Sequence, residues 1–124
     1  MLKKILIVAV WGFFGAISRV LIYECFHNSL ESYLITFCIN LLGSTLLGYL
    51  NTRSFAYRKE IVSGYLGSFT TFATLESEFI LISEYHAFMY EILYLGISIG
   101  CGIIGYEFGH FIGLKNVERR KITI

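Results

Sequence analysis

From Tyr33 to Leu50 the chain carries no charged side chain. A helix that crosses a bilayer needs about 20 predominantly apolar residues, and this run comes close to that by itself. Three further apolar blocks accompany it, at roughly Ile5–Phe26, Glu60–Ser83 and Phe88–Leu114. Polar stretches separate them: the turn His27–Ser32, the basic loop Asn51–Lys59, the turn Glu84–Ala87 and the basic tail Lys115–Ile124. A length of 124 residues that is 56% hydrophobic has room for four such helices with short loops, and none for a soluble domain. The expected architecture is an all-α membrane protein, one four-helix transmembrane unit over residues 1–124. The basic, apolar start is similar in outline to a signal peptide. Its apolar run continues past Arg19 to Phe26 without a small-x-small cleavage site, so it reads as a first helix that stays attached.

The charges between the blocks give a direction. Lys3, Lys4, Arg53, Arg58, Lys59, Lys115, Arg119, Arg120 and Lys121 all fall on the side shared by the N-terminus, the second loop and the tail. The other two loops carry no Lys or Arg, and the remaining Arg19 lies inside the first helix. Cytoplasmic segments concentrate Lys and Arg. Both termini are therefore expected in the cytoplasm of a multi-pass cell-membrane protein inserted in one orientation.

The third block is unlike the others. Gly64–Glu78 reads GYLGSFTTFATLESE, crowded with Gly, Ser and Thr and ending in carboxylates. Broken backbone at membrane depth is tolerated only where protein or a polar pathway satisfies the freed groups, and an interrupted apolar segment points to an ion or substrate site. The third helix is thus expected to break near its middle. Ser68, Thr70, Thr71 and Thr74 offer hydroxyls there, and unwound carbonyls could hold a cation. Phe72 has two readings, packing or an electropositive ring edge turned toward an anion. Glu76 and Glu78 are intramembrane carboxylates, functional candidates by default, but two residues apart they face different sides of a helix.

In the second block Thr36, Asn40, Gly43 and Ser44 fall on one helical stripe. Asn40 is either inter-helix glue, worth about 1 kcal/mol, or an amide donor facing an anion. Tyr94 and Ser98, one turn apart in the fourth block, either pack and bond locally or form a hydroxyl track. Gly96-xxx-Gly100 and Gly105-xxx-Gly109-xxx-Gly113 are small-residue stripes for close helix contact. Arg19 reads as a counter-ion to a carboxylate such as Glu24, as a source of positive potential near an anion entrance, or as a snorkelling side chain. Cys25, Cys38 and Cys101 lack metal-ligand spacing and read as small membrane-core residues. No nucleophile, base or metal constellation supports an enzyme.

Taken together, these residues resemble the CrcB/Fluc family of fluoride channels over essentially the whole length. Gly12, Gly15, Ala16 and Arg19 stand in the family's G-(A/S)-x-x-R pattern, and Thr36, Asn40 and Gly43 in its T-x-x-x-N-x-x-G pattern. Gly67 through Glu78 follow the helix 3 pattern G-G-x-T-T-F-S-T-F-S-x-E, and Tyr94 and Ser98 meet Y-x-x-x-S. The resemblance implies an antiparallel, dual-topology type of dimer with two fluoride pores along its interface. It implies that Asn40 donates its amide to fluoride and that Phe72 is the first of two pore phenylalanines. Thr36, Thr71, Tyr94 and Ser98 then fall along a polar pathway, with Glu78 near a vestibule; Thr74 and Arg19 join them as candidates for the fluoride pathway on the residue reading given above. The backbone carbonyls of Gly67 and Thr70 correspond to a structural Na+ at the dimer centre, a cofactor and not a transported ion.

The third block departs from the pattern in places. Leu75 replaces the second pore phenylalanine, Ala73 a pathway serine, and Ser68 a glycine of the break. The strong charge bias also opposes insertion in both orientations, which a homodimer of this type requires. The expected partner is an oppositely oriented paralogue, and the expected function is passive fluoride export that lowers fluoride toxicity. Two alternatives stay open: a non-conducting structural subunit of such a dimer, and a small multidrug-type exporter. The exporter would need a central carboxylate in the first helix, where only Glu24, near the helix end, is available.

Overall fold

The computed structural model describes residues 1–70, 80 and 88–122. Four helices account for nearly all of them, and no strand occurs among the described residues. Helix α1 spans Leu2–Phe26, α2 Ser32–Asn51, α3 Arg58–Phe69 and α4 Phe88–Ile122. Of these, α1, α2 and α4 are long and apolar enough to cross a membrane. The described part of α3 has 12 residues, or about 18 Å at 1.5 Å per residue.

Helix α3 ends where its sequence turns hydroxyl-rich. Thr70 is extended, at φ −78 and ψ 151. Its N–H and its hydroxyl both donate to the Leu66 carbonyl, at 2.9 and 2.8 Å. At the other end, Tyr57 occupies the left-handed region at φ 56 and ψ 25, uncommon for a residue with a side chain, and swings the loop into α3. Helix α4 differs from expectation at its end. The basic stretch after Leu114 continues the helix to Ile122 rather than forming a tail, because Lys, Arg and Glu end an apolar segment without disfavouring helix.

The helices pack in two parallel pairs, α1 with α3 and α2 with α4, and the pairs touch each other lightly. A four-residue ladder sets the first register. Lys4 pairs with Glu60 at 3.2 Å, Gly64 faces the Val8 carbonyl, and Gly12 faces the Ser68 hydroxyl. A Cβ on Gly15 would collide with the Tyr65 carbonyl, so the missing side chain lets the backbones approach. The second pair uses the expected stripe. Gly105 faces Leu41 and Thr45, Gly109 lies against the Thr45 carbonyl, and Gly113 against the Thr52 side chain. Gly96 and Gly100 do not share this role within the subunit, since a Cβ on either would meet no atom within 4 Å.

The buried apolar core is small: Ile35 and Ile39 from α2 against Val62, Leu66 and Phe69 from α3. Large apolar side chains elsewhere stay exposed, among them Phe13 at 64% and Ile104 at 69%. Such faces suit lipid, where helix association rests on packing and hydrogen bonds and not on leaving water.

The start of α1, the end of α2, the start of α3 and the later part of α4 meet at one end of the bundle. Lys3 lies over the Tyr57 ring, 5.1 Å from its centre. Arg58 donates to the Leu50 and Asn51 carbonyls at 3.4 and 3.3 Å, and Asn51 donates to the Tyr106 hydroxyl at 2.7 Å. The basic positions of the first helix and second loop therefore gather in space as well as in sequence.

Candidate functional site

Between α2 and α3 lies a cleft of about 630 Å³. From α2 it is lined by Asn40, Gly43, Ser44, Leu47 and Asn51, and from α3 by residues including Arg58, Lys59, Ser63, Gly67 and Thr70. Asn40 and Ser44 share one helical stripe with Leu47 and Asn51, spaced by three or four residues. Gly43 lets α3 come close, because a Cβ there would collide with the Thr70 side chain. The result sets the Asn40 amide beside the point where α3 loses its helical backbone.

The other expected pathway residues fall into place in different ways. Thr36, one turn before Asn40, is buried at 2% exposure. Ser44 also lines a second cleft of about 380 Å³, shared with Ser98, Gly102 and Tyr106 of α4. The two clefts meet at Ser44, which joins the α2 stripe to Ser98. The Ser98 hydroxyl is buried and makes no hydrogen bond among the described residues. A helical serine without an external partner commonly bonds back to its own helix, and Ser98 does not do so. Tyr94 instead reaches across to α2, donating to the Tyr33 carbonyl at 3.2 Å with its ring edge-on to Tyr33.

Gly67 is exposed and has open space beside its backbone. Thr71, Phe72, Thr74 and Glu78, together with Ala73, Leu75 and Glu76, lie outside the described residues. Arg19 is half-buried on α1 and does not line the cleft. It does not pair with Glu24: five residues apart on a helix, the two point about 140° away from each other. Glu24 lies instead 3.8 Å from His27, one turn on. Glu24 is exposed near the end of α1, a poor position for the central carboxylate of a multidrug-type exporter.

Asn51, Arg58 and Lys59 share a cleft with Asn40 that sequence reasoning does not anticipate. The i, i+4, i+7, i+11 spacing of Asn40, Ser44, Leu47 and Asn51 was the available signal for the first. Arg58 and Lys59 come from another helix and become visible only once α2 and α3 are placed. The Arg58 side chain donates to Asn51 Oδ1 at 2.8 Å and so closes one end of the cleft. The site offers an amide, hydroxyls and positive charge at one mouth. Among the described residues no three His, Cys, Asp or Glu side chains come together as metal ligands.

A track of amide and hydroxyl groups with positive charge at one mouth, on a bundle of membrane-crossing helices, is suited to a small anion. The chain belongs to the CrcB-like family: the family model described as CrcB-like protein, Camphor Resistance (CrcB), matches residues 6–110. Among curated relatives, the fluoride-specific ion channel FluC 1 of Geobacillus kaustophilus is 35% identical over 111 residues, covering 84% of this chain and 96% of its own. The fluoride-specific ion channel FluC 2 of Bacillus cereus (strain ATCC 14579) is 37% identical over 114 residues, covering 89% and 93%. The fluoride-specific ion channel FluC of Methanocaldococcus jannaschii is 36% identical over 121 residues, covering 92% and 97%. No solved structure gives a significant match.

Proposed function

We propose that this chain is a subunit of a passive, fluoride-selective ion channel of the cell membrane, and that it exports fluoride and lowers its toxicity. The observation that carries the proposal is the track from Asn40 through Ser44 to the unspent Ser98 hydroxyl, in a chain whose relatives are named fluoride-specific ion channels. It is a transport function and involves no catalysis. Neutral HF crosses a bilayer, dissociates in the more alkaline cytoplasm, and leaves an anion that the bilayer retains. A channel lets the membrane potential expel that anion without ATP or proton coupling. Selectivity comes from tight coordination by an amide, hydroxyls and ring edges.

In this proposal the third helix breaks after Phe69 and resumes, carrying Phe72, Thr71, Thr74 and Glu78 along the pathway. Two subunits cross antiparallel, with both termini of this one in the cytoplasm. The charge bias that fixes one orientation makes the partner an oppositely inserted paralogue. The Gly67 and Thr70 carbonyls hold a structural Na+ between the subunits. The chain fits that ion in kind: Thr70 is extended, Gly67 lies in the last turn of α3 with open space beside it, and carbonyls at a helix end lack intrahelical partners and suit Na+. When bound, the ion supplies fixed positive charge at the interface.

Fluoride efflux from proteoliposomes tests the proposal. Efflux that spares chloride and is abolished by Asn40→Asp or Phe72→Ile is expected, from this chain together with its partner. A second proposal, a non-conducting subunit that completes a partner's dimer, is favoured by Leu75 and Ala73 in place of the family's phenylalanine and serine. It predicts that neither substitution changes the flux of the complex.

A further inference from the structure

We propose that the basic end of the bundle is a binding surface for anionic phospholipid headgroups. The argument starts from register. Gly113 of α4 packs on Thr52, the residue just past the end of α2. Helix α2 has 20 residues, about 30 Å, which matches the hydrocarbon core of a bilayer. Thr52 therefore marks one edge of that core. Helix α4 runs on past this edge to Ile122, nine more residues or about 13 Å, through a headgroup layer of about 5–8 Å and out the far side, with Lys115 at headgroup depth and Arg119 at its outer boundary. The overhang carries Lys115, Arg119, Arg120 and Lys121 against one acidic residue, Glu118.

Lys115 and Arg119 are one turn apart, on one side of α4, and both are exposed. Lys3 and Lys59 are exposed at the same end, and Arg53 lies over the Tyr49 ring, 4.6 Å from its centre. Lys4 is paired with Glu60. Lys3, Arg53, Lys59 and Lys115 have no carboxylate partner among the described residues. Tyr49, Tyr57 and Tyr106 stand at the same level, in the interfacial position that tyrosine favours. A ring of cations at headgroup depth around a helix bundle has one guaranteed neighbour of opposite charge, the phosphates of anionic lipids in that leaflet.

The test is lipid retention by the purified full-length chain, independent of whether fluoride permeates. The chain is exposed in detergent to equal amounts of phosphatidylglycerol and phosphatidylcholine with matched acyl chains, washed, and analysed by native mass spectrometry. Several-fold enrichment of phosphatidylglycerol is expected. It falls toward parity in about 1 M salt, where the Debye length is about 3 Å, and in the variant combining Lys59→Gln, Lys115→Gln and Arg119→Gln. Millimolar inorganic phosphate does not displace the lipid, which separates a headgroup surface from a free-phosphate site. Equal retention of the two lipids, or enrichment untouched by both salt and the triple variant, overturns the proposal. If the variant does not fold, the salt series on the unaltered chain decides alone.

Discussion

Arg58 donates to Asn51 Oδ1 at 2.8 Å while the same nitrogen lies 3.3 Å from the Asn51 carbonyl oxygen. One guanidinium thus satisfies the end of α2 and ties it to the start of α3, and Asn51 passes the connection to Tyr106 of α4. The core of Ile35, Ile39, Val62, Leu66 and Phe69 joins the two helix pairs, and this junction fastens them at one end. Arg58→Met leaves the Asn51 carbonyl and Oδ1 without this donor, while the Leu50 carbonyl keeps the Arg53 N–H at 3.0 Å. The substitution is expected to lower stability by about 1.5–3 kcal/mol, the range for a hydrogen bond to a charged group. Unfolding in mixed micelles measures this, and the double variant with Asn51→Ala should cost less than the two single changes summed.

Gly109 and Gly96 have the same spacing pattern and opposite surroundings. A methyl group at Gly109 meets the Thr45 carbonyl; at Gly96 it meets nothing within 4 Å. Gly109→Ala should separate α2 from α4 and cost about 1–3 kcal/mol, as overpacking does. Gly96→Ala should leave the isolated subunit within about 0.5 kcal/mol of its original stability. Equal effects from the two would mean that the α2–α4 register is wrong.

Ser98 separates a structural hydroxyl from a conducting one. Its oxygen is buried and unpartnered, so Ser98→Ala removes a polar atom that contributes nothing to the fold, and thermal stability should hold or rise slightly. Fluoride flux through the assembled complex should fall about tenfold, the effect of about 1.4 kcal/mol on the barrier. Lowered stability with unchanged flux would remove Ser98 from the pathway.

The charge distribution can be tested without any flux. Tags at both termini of the singly expressed chain should be reached only from the cytoplasmic side. Equal labelling from both membrane faces would reject single orientation, and with it the argument for an opposed paralogue.

Much of this was legible in the sequence. The ends of α1 and α2 lie within three residues of where charge and turn residues placed them, because a bilayer punishes charge and leaves little freedom in where an apolar helix stops. The Asn40 stripe and the Gly105, Gly109 and Gly113 contacts were legible for the same periodic reason. The pairing of helices was not. Lipid and neighbouring helices are both apolar, so an exposed Phe13 and a buried Ile39 look alike in sequence. The end of α4 is not legible, because charge marks the edge of the membrane and not the end of a helix. The role of Arg58 is not legible either, because it depends on α2, which the loop sequence does not reveal.

The pairing of α1 with α3 and of α2 with α4 has a consequence for synthesis. The main partner of each helix is the one two places along the chain, so α1 and α2, which touch each other only lightly, are made before either has that partner. At about 5–20 residues per second, roughly 2–9 s pass between the emergence of the end of α1 and that of α3. During that interval α1 and α2 stand in the bilayer without their partners. The translocation machinery must decide the direction of each from its own apolarity and its flanking lysines and arginines. The basic end of the bundle is thus the record of a decision made before there was any bundle to hold it.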